Sequence, residues 1–586
     1  MNPISVGIYD GKEYQTFFIT DYMNSVAPAE QMLRDSFNYL MQGKYNNYHI
    51  YLHNFSKFDG VFLLKIISNL DAKVNLLIRD NNLLTISISF EINDDKYKIH
   101  LHDSLLLLPA SLEKLAINFG VESKGNFDFS KINDAKTTEQ LNLIREELLA
   151  YNKQDCLVLY QVMFKYAENI WELYSLNLTQ YPTLSSLSFA IFKSNFMKEE
   201  NIPISNTKDY NFLKDSYRGG HVDVYRPYPK KGRKVYCYDI NSLYPSVMAK
   251  NVFPVGVPKY FTGSRELNDI FGFVKVEVTS PSDLFCPVLL TKVDGKTIAP
   301  TGQWTGTYFV EELKYAATLG YKFNILEGVT FDQANIFDNF INTLYEQRIK
   351  YPKSDPRNLI GKLSMNTGYG RYGMSPYIDT YSILSKDNLN NLNYLDSINL
   401  GDKELVSFRK VKNTENNNFM MSISTGIASA VTSYSRIEIN KLKLKFIDNL
   451  LYSDTDSIYL DKEITNKELI NNRLGGLKLE YILTDAVFLA PKVYAGVFED
   501  GTEMSKVKGY KKPVNLKDLK TLLVRNKSLE LKHDKWFRSF SAGNISIKES
   551  TYNLVVSANK RKNIYRNNKL FHTKPIKIKT IKPLSN

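Results

Sequence analysis

The chain has 586 residues, too many for one hydrophobic core, and its 43% hydrophobic and 23% charged residues describe a folded multidomain protein rather than a disordered one. A net charge of +13 and a pI near 9.1 favour a polyanionic partner, although the same charge suits a ribosomal protein or an anionic membrane surface. Three isolated cysteines (Cys156, Cys237, Cys286) and seven scattered histidines exclude a disulfide framework and a zinc-type site, so a catalytic metal would rest on carboxylates, the hard ligands that suit magnesium or manganese.

No run of 18 uninterrupted apolar residues predicts a membrane span, and the opening MNPISVGIYDGKEY has neither signal nor transit character. The first stretch alternates short apolar strings (ISVGIY, YQTFFIT, YHIYLHNF) with helical periodicity and reads as an α/β unit, followed by a long amphipathic helix over Glu139 to Tyr174. Turn residues between Leu176 and Ser205 mark a change of unit. In VYCYDINSLYPSVM, Val235 to Tyr238 read as a buried strand that delivers Asp239 beside a helix start near Ser242 to Pro245. Amide groups at such a start receive phosphate.

Further on, YEQRIKYPKSDPRNLIGKLSMNTGYGRYG reads as two antiparallel helices broken by Pro352 and Pro356. Lys362, Asn366 and Tyr369 would share a face of the second helix, with Arg348 and Lys350 on the first adding charge against a triphosphate. The tracts DNLNNLNYL and NTENNN read as loops. LLYSDTDSIYL predicts a hairpin carrying Asp454 and Asp456 at its turn. A D-x-D turn alone is ordinary solvated turn chemistry. Paired with a metal, however, two adjacent carboxylates lose their mutual repulsion. No acid follows Glu549, while Lys560, Arg561, Lys562, Arg566, Lys569, Lys574, Lys577, Lys579 and Lys582 make the tail a candidate polyanion-binding segment.

In order, D-x-x-S-L-Y-P-S, K-x-x-x-N-x-x-Y-G and Y-x-D-T-D-S resemble motifs A, B and C of the family B DNA polymerases. The resemblance implies a multidomain α/β and α+β chain: an N-terminal ribonuclease H-like, exonuclease-type domain, then a right-hand polymerase of palm, fingers and thumb. It implies that Asp239 and Asp456 bind two magnesium ions, replaceable by manganese, with Asp454 completing the cluster. Tyr244 would exclude a ribose 2′-hydroxyl, Lys350 and Lys362 would hold the incoming phosphates, and Asn366 and Tyr369 would line the nascent base pair. SYRGGHVDVY resembles the family's Y-x-G-G motif, which puts Tyr217, Arg218, Gly219 and Gly220 near template DNA. APKVYAGV resembles its K-x-Y motif, with Lys492 and Tyr494 on the primer terminus, and Lys506, Lys508 and Lys511 would suit duplex phosphates.

The layout resembles the protein-primed branch, since 122 residues separate Asp239 from Lys362 and 91 separate Lys362 from Asp454. The implied units are an exonuclease-like domain (1–185), linker and palm (186–250), a terminal-protein-type insertion (251–338), fingers (339–373), a strand-displacement-type insertion (374–418), palm (419–512), and thumb with basic tail (513–586). Implied partners are template and primer DNA, deoxynucleotides and a terminal protein, bound by a monomer away from membranes. The size, WTGTYFVEEL and the basic ending look most like polymerases of linear mitochondrial plasmids, with a viral replicase as the alternative source. At the N-terminus, HNFSKFDG resembles the second exonuclease motif through Asn54, Phe58 and Asp59, and AYNKQDC the third through Tyr151 and Asp155, with Lys124 between them. The first motif, D-x-E, is absent from the start of the sequence. Editing is therefore expected to be lost, by a truncated reading frame or by reduction of the unit to a DNA-guiding scaffold.

Overall fold

A computed structural model describes residues 1–79, 82–198, 201–377, 379–389, 392–409, 423–558 and 560–578. Mixed α/β content is distributed over several sheets, each with its own apolar filling. At the N-terminus, Ser5–Tyr9 and Tyr14–Phe18 form a hairpin. Beside it, His49–Leu52 runs parallel to Asp95–Asp103, which continues antiparallel through Asn82–Ile92 to Lys73–Arg79. The long helix is Arg145–Tyr174. The segment before it is a separate turn, Thr138–Leu143, started by a capping box between Thr137 and Gln140.

The stretch expected as the second insertion is not a free-standing unit. Tyr381 pairs with Leu76, so Asp379–Ser385, Lys403–Arg409 and Asp396–Asn399 extend the N-terminal sheet to seven strands. Leu400 and Leu405 are buried with Leu64, which closes an edge that Lys73–Arg79 would otherwise expose. Residues 410–418 lie outside the described residues.

The stretch expected as the first insertion folds as an antiparallel sheet of Phe253–Thr262, Gly272–Thr279, Thr301–Phe309 and Lys322–Ala334, with helix Val310–Ala317 against it. The predicted helical pair is present as Asp338–Lys350 and Pro356–Thr367. Its closeness depends on Gly361, where a Cβ would lie 2.9 Å from the Leu344 carbonyl. These helices, with Leu184–Asn195 and Thr425–Lys445, bury Phe192, Phe337, Phe340 and Val431 in the largest core.

Towards the C-terminus a long hairpin, Ser528–Ser539 with Asn544–Val555, reaches back to the N-terminal unit, where Ile545 is fully buried. The Met1 ammonium donates to the Ile545 carbonyl at 2.7 Å. The basic tail is folded rather than free: Arg561–Arg566 pairs with Lys569–Pro575, and Lys577–Ile578 adds a parallel strand to Thr301–Gly302. Arg561 is buried and Arg566 lies on Phe571, so composition overstated the charge this segment offers to a polyanion. Lys579 and Lys582 lie outside the described residues. Among the described residues, no helix is long and apolar enough to cross a membrane.

Candidate active site

The three aspartates meet on a five-stranded antiparallel sheet ordered Leu477–Leu483, Val235–Ile240, Ser457–Leu460, Leu450–Asp454, Val222–Val224. Asp239 lies opposite Ser457, and the Ile240 amide donates to the Asp456 carbonyl at 2.9 Å. The predicted hairpin is present, with Asp454 paired to Ser457 and Thr455 at φ 60°, a left-handed conformation costly for a β-branched residue. Its amide donates to the His221 carbonyl at 3.0 Å, and a Cβ on Gly220 would fall 2.6 Å from its methyl group. Gly220, the second of the paired glycines, thus lets the Y-x-G-G backbone touch the D-x-D turn, whereas a Cβ on Gly219 would meet nothing within 4 Å.

Burial, then the nearby carboxylates of Asp456 and Glu480, push the Asp239 pKa up to about 7, against the opposing pull of Lys478. Asp456 is raised chiefly by burial and also by Asp454, with its own amide and Lys492 opposing. Asp454 is occupied differently: Lys492 Nζ donates to its Oδ2 at 2.9 Å, Tyr452 adds a hydroxyl donor, and Thr455 bonds its Oδ1. Among the described residues, no three such donors are gathered into a ready-made cage. What is present is a row of three carboxylates in which, beyond burial, Asp239 is raised by Asp456, Asp456 is raised by Asp454 and Asp454 is held by a lysine, all oxygen donors of the kind a hard divalent cation takes.

Beside the acids lies a cleft of about 350 Å³ lined by Asn241, Ser242, Arg348, Lys353 and Lys362. Burial lowers the Lys362 pKa, helped by Arg348, Lys353 and Lys478, as expected of cations assembled without their anion. Lys350 does not line this cleft and lies over the Tyr351 ring. Lys353, in the linker between the helices, takes the place expected of it. Tyr369 falls in a short 3-10 turn after the helix and stacks on Tyr244 at 4.6 Å. Asn366 donates along its own helix to the Lys362 carbonyl. A larger cleft, about 630 Å³ around His49, His100 and His102, contains none of these groups, so chemistry rather than volume marks the site.

Two expected DNA contacts are turned inward. Arg218 is 7% exposed, donates to the Thr307 carbonyl and stacks on Tyr308. Tyr494 is 5% exposed and bonded to Tyr459. Aromatic and strand neighbours that are distant in sequence account for both. Tyr217, half-buried, packs against Gly373, and Lys506, Lys508 and Lys511 are exposed.

The family model described as "DNA polymerase type B, organellar and viral" matches residues 40–142 and 133–449. The chain belongs to this family. A probable DNA polymerase of Ascobolus immersus is 34% identical over all of this chain and 52% of the relative, and one of Neurospora intermedia is 32% identical over 94% of the chain and 62% of the relative. The type B chain therefore spans about half to three-fifths of those relatives' length. The DNA polymerase of Streptococcus phage Cp-1 is 26% identical over 78% of the chain and 79% of its own. Phi29 DNA polymerase, in a ternary complex with primer-template DNA and incoming nucleotide substrates, has the same fold, with TM-score 0.70, 18% identity, and coverage of 94% of this chain and 95% of that one. The fold expected from the motifs is thereby borne out, as a multidomain α/β polymerase fold.

In the N-terminal unit of this type B chain, Lys124 lies 3.6 Å from Asp155 and over the Tyr151 ring. Burial raises the Asp155 pKa. Asp59, at a helix start, is pushed up to about 6 by burial and by Asp103. Asp103 was not anticipated. It accepts the amides of Asn54 and Ser56 and so shapes the turn in which Asn54 has φ 71°. Phe58 lies 5.9 Å from Trp536 of the long hairpin.

Proposed function

We propose that this chain is the polymerising part of a template-directed DNA polymerase, adding deoxynucleotides to a primer 3′-hydroxyl in protein-primed replication of a linear DNA element. The observation that carries the reading is the partly desolvated carboxylate pair Asp239 and Asp456 beside a cleft of three cations. Asp239 and Asp456 would hold two magnesium ions, with manganese a substitute, and Asp454 would join them on release from Lys492. When bound, such ions lower the pKa of an attacking hydroxyl and neutralise a leaving pyrophosphate. Arg348, Lys353 and Lys362 take the triphosphate charge, and the amides after Asn241 orient it. Tyr244, braced on Tyr369, fills the space a 2′-hydroxyl would need.

Template, primer and deoxynucleotides are the proposed partners, with a terminal protein supplying the first hydroxyl and a mitochondrial plasmid or a virus as the source. The test is primer extension by wild-type and Asp456→Ala protein, with and without ribonucleotides. Magnesium-dependent extension lost in the variant supports the reading. Wild-type protein that binds primed DNA and never extends it, across metals and salt, would replace it with a DNA- and terminal-protein-binding relic.

A further inference from the structure

Behind the D-x-D turn lies a set of buried charges that the proposed chemistry does not use. The strand Val222–Val224 pairs with the turn's own strand, Val222 with Asp454 and Asp223 with Ser453, and the His221 carbonyl holds the strained Thr455 amide. On the other side of that strand, His221 Nε2 contacts Asp223 Oδ2 at 2.7 Å, and Lys443 Nζ contacts His221 Nδ1 at 2.8 Å. Arg561, from the C-terminal hairpin, brings Nη1 to 3.9 Å from Asp223 Oδ2. Its Nε donates to Thr573 Oγ1, its Nη2 donates to the Phe285 carbonyl, and its guanidinium lies over Tyr225. Thr573 donates from Oγ1 to the Val224 carbonyl at 2.6 Å and from its amide to the Tyr225 carbonyl at 3.1 Å. His221, Asp223, Lys443, Arg561 and Thr573 are all buried.

Apolar residues would fill this volume at least as stably, because burying charges takes them out of water. A left-handed Thr455, by contrast, persists only where its surroundings over-determine it. Arg561 does what a hydrophobe cannot: its hydrogen bonds join Thr573, itself bonded to the strand, to the Phe285 carbonyl, its charge lies within ion-pair range of Asp223, and that strand holds the turn. We propose that Arg561 and Asp223, with His221 and Lys443, are positioning residues for Asp454 and Asp456, making the C-terminal hairpin part of the polymerising centre. None of them touches substrate. The proposal rests on the polymerase reading above for its kinetic consequence, but not for its structural one.

The test compares full-length wild type with Arg561→Met, Arg561→Lys, Asp223→Asn and the Arg561→Met/Asp223→Asn double variant. Arg561→Met should lower kcat for primer extension by about ten- to hundredfold, the range expected of a slightly misplaced catalytic group, with the deoxynucleotide KM within about twofold. Arg561→Lys should fall between wild type and Arg561→Met. The double variant should match the worse single variant rather than the product of the two, because the pair acts as a unit. Hydrogen exchange adds a readout independent of activity: peptides covering residues 450–460 should exchange about tenfold faster in Arg561→Met, with residues 82–103 unchanged. Wild-type kcat and unchanged exchange at 450–460, with only a lowered unfolding temperature, would overturn the proposal. Should wild type fail to extend primers, the polymerase reading falls, and the exchange comparison alone then decides for or against the positioning role.

Discussion

Replacing Asp239 with Asn tests the electrostatic account of the carboxylate pair most directly. The folded protein raises this pKa from its ordinary 3.8 to about 7, through burial first and then Asp456 and Glu480. A rise of about three corresponds to at most about 4 kcal/mol against the charged form. Asp239 is only partly buried, and solvent screening reduces this to about 1–2 kcal/mol. Because the folded pKa is the higher one, the folded state binds more protons between pH 4 and pH 7, and metal-free stability falls as pH rises through that window. Asn carries no charge at any pH. In EDTA, Asp239→Asn should therefore flatten this fall and raise the apparent unfolding temperature at pH 8 by about 1–3 °C. It should also erase stabilisation by magnesium and abolish extension. Differential scanning fluorimetry from pH 5 to pH 8, with EDTA or magnesium, reads all three stability effects. An Asp239→Asn protein with the wild-type pH slope, or one as destabilised at pH 8 as at pH 5, would refute the reasoning.

Tyr244→Val removes the ring stacked on Tyr369 and should narrow the preference for deoxynucleotides over ribonucleotides by about tenfold or more, read as the ratio of kcat/KM values. Lys362→Ala takes one cation from the cleft and should raise the deoxynucleotide KM by about tenfold, whereas Lys350→Ala should change it by less than about twofold; steady-state extension separates the two. Arg436, 1% exposed, pairs bidentately with Glu312, so Arg436→Leu strands a buried carboxylate and should destabilise by about 3–5 kcal/mol. Arg436→Leu/Glu312→Leu should recover much of that loss, measured by the denaturation midpoint.

The acids were legible because each motif carries its own local signal: apolar strings flanking a turn at Asp454 and Asp456, and a strand running into a helix at Asp239. The helical pair was legible from Pro352 and Pro356. Less readable were orientations set by partners far along the chain. Nothing near Arg218 or Tyr494 announces that Tyr308 or Tyr459 will cover it, and a basic stretch gives no sign that Arg561 turns inward while its neighbours do not. Lys353 was missed because helical spacing was applied to Lys350 and stopped at Pro352, although the linker brings the next lysine back to the cleft. The union of strands Asp379–Ser385, Asp396–Asn399 and Lys403–Arg409 with the N-terminal sheet rests on the ladder pair Tyr381 with Leu76 and on the packing of Leu400 and Leu405 against Leu64, long-range contacts for which periodicity has no signature.

The same kind of long-range tie reaches the stretch expected as the first insertion. Glu312 belongs to its helix Val310–Ala317, yet its carboxylate holds Arg436, and Arg436 donates to the carbonyls of Arg218 and Gly219 beside the D-x-D turn. Arg218 returns the tie by donating to the Thr307 carbonyl of the insertion's sheet. A buried ion pair and the Y-x-G-G backbone thus join this sheet to the D-x-D turn in both directions. Excising residues 253–334 would remove Glu312 and leave the buried Arg436 without its carboxylate partner. Residues 253–334 are thus tied to the backbone beside Thr455 through Glu312, Arg436 and Arg218, and substitutions that break this tie should be felt at Thr455.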